Sequence, residues 1–291
     1  MPRRRIACVL LALLVAGCGA APARTSTGFA PALPARPATV WAVGDGTAKR
    51  RGRAVAALIA RGRPDLLLYL GDVYKHGTAA DFAGNYAASY GRLARITAPT
   101  PGNHDWPNHV TGYDPYWQRA RGRKPPPWYA FDVAGWQLLS LNSQMKHGRG
   151  SPQYRWLVAQ LRRPGTCRIA FWHRPRYSAG IEHGDQHDLS EMWDALRGHA
   201  ALVINGHEHD MQRLAPIDGI TELIVGSGGA PLYPVHRDDP RLVFAQDTQW
   251  GALRLRLRPG SASYAFIAVD GRVLNQGRVG CRPLSHPRRG G

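Results

Sequence analysis

Five short apolar runs in this chain end in the same way, and that repetition limits the possible folds more than any other feature. Val40–Val43 closes on Gly44-Asp45, and Leu66–Leu70 closes on Gly71-Asp72. Ile96–Pro101 leads into Gly102-Asn103-His104-Asp105, Arg168–Trp172 into His173, and Leu202–Ile204 into Asn205-Gly206-His207. Runs of this length bounded by Gly-containing turns read as buried strands. Each therefore delivers a carboxylate, an amide or an imidazole at its C-terminal end.

Helical patterns lie between the strands. Ala54–Ala60 puts Val55, Leu58 and Ile59 on one face, and Thr78–Leu93 puts Phe82, Tyr86, Tyr90 and Leu93 on another, with Asp81 near its start. Ser151 caps a third helix reaching Leu161, with Pro152 at its first position. Strands alternating with helices predict an α/β fold with a largely parallel component. Further on, Leu253, Leu255 and Leu257 alternate with Arg254, Arg256 and Arg258, the period of a half-exposed strand, whose arginine row reads as a solvated face, with a binding stripe as the alternative. A strand over 263–269 follows, and Asp270-Gly271 marks a hairpin turn.

The N-terminal residues follow another logic. Arg3, Arg4 and Arg5 precede the apolar run Ile6–Ala16, too short to span a bilayer comfortably, so residues 1–17 read as a signal peptide. The run ends in Leu14-Val15-Ala16-Gly17-Cys18, which looks like a bacterial lipobox in which Cys18 carries lipid; simple secretion is the alternative. Residues 18–38, rich in Ala and Pro, read as a tether, and 39–291 as one domain. The expected location is outside the cytoplasm, membrane-anchored through Cys18 or else secreted. Setting Cys8 and Cys18 aside leaves Cys167 and Cys281, an even pair that suggests one disulfide in an oxidising compartment, against two buried thiols. The formal charge of +18 favours phosphate-bearing substrates or anionic surface polymers, or else reflects an arginine-rich composition. No basic run is interleaved with aromatics in the way nucleic-acid binding needs, and none is expected.

The polar strand ends form a mixed oxygen and nitrogen set: Asp45, Asp72, Asn103, His173, His207 and His209. Such a set suits Fe, Zn or Mn and lacks the thiolates of a structural zinc site. It exceeds what one metal with an open position needs and matches two ions clamping an in-line displacement at phosphorus. In order and context, Gly44-Asp45, Gly71-Asp72, Gly102-Asn103-His104-Asp105, His173 and Gly206-His207-Glu208-His209 resemble the calcineurin-like metallophosphoesterases. The resemblance runs from about Val40 to Gly229.

The resemblance implies a four-layer α-β-β-α sandwich of two mixed sheets flanked by helices, with a binuclear centre. Asp72 would bridge the ions, Asp45 and His209 would hold the first, and Asn103, His173 and His207 the second. A hydroxide activated between them would attack phosphorus, with His104 facing the phosphoryl group and Asp105 orienting it. Thr47 stands where many relatives carry a histidine, and in this the chain is similar to the purple acid phosphatases, which use a tyrosine instead. Tyr74 follows Asp72 by two residues where the family tyrosine follows by three, so it is either a ligand or a packing aromatic. His183, ten residues after His173, stands where those enzymes place a substrate-contacting histidine, and a surface role is the alternative. Arg174 is a candidate for a phosphate oxygen. The implied activity is acid-phosphatase-like monoester hydrolysis. The alternatives are phosphodiester hydrolysis on the same core, or a catalytically silent lipoprotein that binds anionic polymers.

Overall fold

A computed structural model of the protein describes residues 29, 33 and 36–281. The signal peptide, Cys18 and most of the tether lie outside the described residues. The expected strands and two of the three expected helices are present, and their burial explains their places. Strand β1 (Ala38–Val43) is apolar on both faces and nearly wholly buried, which suits a central position. It pairs in parallel with β2 (Leu66–Tyr69), which pairs with β3 (Thr97–Pro99). On its other side it pairs antiparallel with β11 (Gly251–Arg258), followed outward by β12 (Ser261–Ala268) and β13 (Val273–Gly280). The result is a six-stranded mixed sheet.

A second, seven-stranded mixed sheet has the order β10-β8-β9-β7-β6-β5-β4. Its strands are β4 (Tyr129–Val133), β5 (Trp136–Ser140), β6 (Cys167–Trp172), β7 (Leu202–Asn205), β8 (Met211–Leu214), β9 (Thr221–Val225) and β10 (Leu242–Gln246). Its inner face shares one apolar core with the first sheet, through residues such as Phe131, Leu138, Phe171 and Leu223. Its outer face packs Leu139, Ala170 and Val203 against Leu157, Leu161, Met192 and Trp193 of the helices Pro152–Leu161 and Ser190–Leu196. The helix Arg50–Arg61 buries Val55, Leu58 and Ile59, and Ser151 caps the helix after it by accepting the N–H of Tyr154. Two mixed sheets between helices make the expected α/β sandwich.

The segment expected as one helix over 78–93 is broken up. A capping box between Thr78 and Asp81 starts it, a π-type turn spans Phe82–Tyr86, and a 3-10 stretch covers Gly91–Ile96. The spacing of its aromatics supplies the reason. Residues four apart drift off a face of 3.6 residues per turn, and a wider turn brings Phe82, Tyr86 and Tyr90 back to the same side. There Tyr86 and Tyr90 meet Tyr69 edge-on, at ring distances of 4.7 and 5.5 Å.

Candidate metal centre

The C-terminal ends of β1, β2 and β3 in one sheet meet those of β6 and β7 in the other, and the polar residues following them face each other across the seam. The turns are tight enough to force unusual backbone. Asp45, Asp72 and His207 have φ of 63°, 58° and 73°, the left-handed region that non-glycine residues avoid. Backbone donors hold these turns: Asp45 Oδ2 accepts the His207 N–H at 2.9 Å, and Asp72 Oδ1 accepts that of His104 at 2.9 Å. Gly102 is required here, because a Cβ on it would lie 1.9 Å from Asp72 Oδ1.

Two donor groups result. In one, His173 Nε2 lies 3.0 Å from Asn103 Oδ1, 3.3 Å from Asp72 Oδ2 and 3.2 Å from His207 Nδ1. In the other, His209 Nε2 lies 3.5 Å from Asp45 Oδ1, and the Tyr74 hydroxyl lies 2.5 Å from His209 Nε2 and 3.4 Å from Asp45 Oδ1. Backbone carbonyls set the rings: His173 Nδ1 meets Leu70 O at 2.8 Å and His209 Nδ1 meets Pro231 O at 2.7 Å. Each carbonyl accepts the Nδ1–H and so turns Nε2 into the site. Tyr74 thus stands beside Asp45 and His209 despite its shifted spacing.

The electrostatics follow from burying so many charges together. Burial opposes a charge on His173, but Asp72 beside it prevails and raises the imidazole to about 9. Burial and the charge of His173 hold His207 well below its usual value. Burial likewise opposes ionisation of Asp72, yet His173 keeps its carboxyl below the usual range. Nδ1 of His207 and Nε2 of His173 lie only 3.2 Å apart, with carboxylate and amide oxygens around them, a cluster that favours a positive charge at its centre, whether a proton or a metal ion. The donor set fits a transition-metal ion in each group.

Asp105 behaves differently from expectation. Its carboxylate is buried beneath the loops and accepts the backbone N–H groups of Asp72, Val73 and Gly102 at 2.8–2.9 Å. The hydrogen bond that orients His104 is instead the one its Nδ1–H donates to Lys75 O, at 2.6 Å. Burial and the charge of Asp72 push the Asp105 carboxyl up to about 7. His104 itself is partly exposed, with Nε2 3.8 Å from Asp72 Oδ2.

The His183 ring lies tilted over His207 at a ring distance of 3.9 Å and sets Nδ1 3.4 Å from the buried Glu208. Arg174 reaches Asp188 at 2.5 Å, Gln186 at 3.0 Å and Ser143 O at 2.9 Å, so these partners would have to yield for it to meet a phosphate. Two contributors were not singled out from the sequence. Tyr233 stacks flat on His209 at 4.0 Å, from a loop with no periodic signal. Glu208 lies inside the Gly-His-Glu-His motif, and its carboxylate also takes the Gly184 N–H at 2.8 Å, pinning the loop that carries His183. Gly180 allows this approach, since a Cβ there would fall 2.2–2.4 Å from that carboxylate.

Residues 39–211 match the family model described as Calcineurin-like phosphoesterase. The chain belongs to this family. Purple acid phosphatase 21 of Arabidopsis thaliana is 28% identical over 171 residues, covering 48% of this chain and 39% of that protein. A probable cyclic nucleotide phosphodiesterase of Synechococcus is 28% identical over 206 residues, covering 66% of this chain and 74% of that protein. The chain thus spans well under half the length of the plant relative. Among solved structures, the purple acid phosphatase PPD1 of yellow lupin superposes with a TM-score of 0.69 at 14% identity, over 85% of this chain and 55% of that one. That likeness establishes the shared fold. Membership implies a dinuclear centre, and the two donor groups suit it.

Proposed function

We propose that the chain hydrolyses phosphate esters, acting on phosphomonoesters outside the cytoplasm. The observation that carries the reading is the convergence of Asp72, Asn103, His173 and His207 on one side and Asp45, Tyr74 and His209 on the other. Asp72, facing the first group, is the candidate bridge to the second. Two bound ions would supply Lewis acidity and an activated water.

The protein's own part is positioning. Asp105 and the backbone N–H groups it accepts hold the Asp72 and Asn103 turns in register. Lys75 O fixes Nδ1–H of His104, so Nε2 can hold or deliver a proton at the leaving oxygen. His183, packed against His207 and steadied by Glu208, offers a second imidazole to a phosphoryl oxygen. Tyr74 beside His209 favours the monoester reading, as tyrosine is the ligand in purple acid phosphatases. The Cys167–Cys281 disulfide supports an oxidising compartment, and anchoring through Cys18 remains part of the proposal.

A second reading, diester hydrolysis, draws on the similarity to the Synechococcus protein. The test compares an aryl monoester with the matching diester after reconstitution with Fe, Zn or Mn, with Asp72→Asn as control. Monoester turnover lost in Asp72→Asn supports the proposal. Preferred diester turnover promotes the second reading, and a protein that neither binds two metals nor turns over either ester refutes both.

A further inference from the structure

The six-stranded sheet is covered by helices only in part. Over β11–β13 its outer face carries Arg254, Arg256 and Arg258 on β11 and Arg278 on β13. The strand register sets them in rows: Arg256 faces Ser263, which faces Arg278, while Arg254 faces Ala265, which faces Gln276. Neighbouring strands lie about 4.8 Å apart and alternate residues about 6.8 Å apart along a strand, so the guanidinium groups form a grid within reach of one another. Between them lies a shallow cavity of about 330 Å³. No Asp or Glu occurs from Gly251 to Val269 or within β13, and none of these four arginines has a carboxylate partner among the described residues. Burial, followed by the charge of Arg256, lowers Arg254, as expected of cations that nothing offsets.

We infer that this face docks a linear phosphate polymer. Guanidinium groups grip phosphate oxygens in pairs, and Ser263 and Gln276 between them add neutral donors. Tyr264, which also lines the cavity, is only 5% exposed and so offers no face for stacking bases, and Val273 is the one large exposed apolar side chain on these three strands, too little for entering a bilayer, which argues against single-stranded nucleic acid and a lipid surface. Arg256 pairs with Thr39 at the start of β1, whereas Asp45 follows that strand's other end. The surface is therefore separate from the candidate metal centre, and the inference does not rest on the proposed activity.

The test measures binding of long-chain inorganic polyphosphate to the whole chain, metal-free and carrying Asp72→Asn, across a salt series. Orthophosphate serves as the monomeric probe. Neutralising Arg254, Arg256 and Arg278 to Gln should weaken polymer binding at least about tenfold and reduce the salt slope by roughly 2, from three lost phosphate contacts. Neutralising Arg119, Arg155 and Arg162 to Gln removes the same net charge elsewhere and should leave the slope near that of the parent. Arg256→Glu, at an exposed position, gives the same reading if the triple variant does not fold. Equal losses in the two triple variants would reduce the effect to net charge and overturn the inference. So would the absence of polymer binding, or binding to anionic phospholipid vesicles that polyphosphate does not displace.

Discussion

Tyr74 condenses the residue-scale question. Its phenol is pushed far above its ordinary range by burial and by the charges of Asp45 and Asp72, so only a cation would draw it into the phenolate form. Ferric loading should therefore produce a visible charge-transfer band that Tyr74→Phe abolishes while the far-ultraviolet spectrum stays unchanged. A band that survives the substitution would remove Tyr74 from the ligand set. Asp72 carries a larger burden, since its carboxylate faces His173 and also fixes the His104 N–H. Asp72→Asn keeps the shape but removes one of the two carboxylate charges available to a cation pair. We expect metal affinity, read by calorimetry, to fall by about 100-fold or more, exceeding the loss usual for an outer-shell partner.

At the scale of elements, the loop 178–187 is tied to the segment 236–241 by Arg241. Its guanidinium holds Asp185 at 2.8 Å and Asp239 at 2.6 Å, and the loop so held presents His183. Arg241→Gln should loosen this loop, seen as faster hydrogen exchange over 178–185, and should raise KM more than it lowers kcat. The pH dependence has a defined sign. Hydrogen bonds from Arg241 keep the Asp239 carboxyl below its usual range. Its contribution is fully present above the unfolded carboxyl value of about 3.9 and is lost as pH falls through the lower folded value. Exchange protection over 236–241, corrected for the intrinsic pH dependence of amide exchange, should therefore stay flat between pH 8 and 5 and fall only in stronger acid; a fall near pH 6 would contradict the Arg241–Asp239 tie.

At the scale of the whole molecule, the Cys167–Cys281 disulfide joins the start of β6 to the end of β13, linking the two sheets across a separation of 114 residues. Replacing both cysteines with Ser should cost about 2–5 kcal/mol of unfolding free energy in denaturant titrations. Metal binding should persist, because Cys167 begins the strand that His173 follows, so the bridge lies at the opposite end of β6 from the donor groups. Loss of metal binding together with the disulfide would mean that the sheets hold their register only through it.

The sequence by itself determined the strand ends, the α/β layering and the donor types. Buried strands need continuous apolar runs, and metal-binding turns need Gly beside oxygen and nitrogen donors, and both requirements are written locally. It also determined the alternation in β11, where Leu253, Leu255 and Leu257 are buried and Arg256 and Arg258 exposed. The tertiary structure alone decided which donor faces which. The spacing of Tyr74 from Asp72 did not say whether the phenol reaches His209, because a loop's path depends on what packs against it. The partnership of His104 with Lys75 O rather than Asp105, and of His183 with Glu208, arises where segments distant in sequence converge. Local pattern records the period of an element, whereas long-range side-chain contacts depend on how two sheets close on each other.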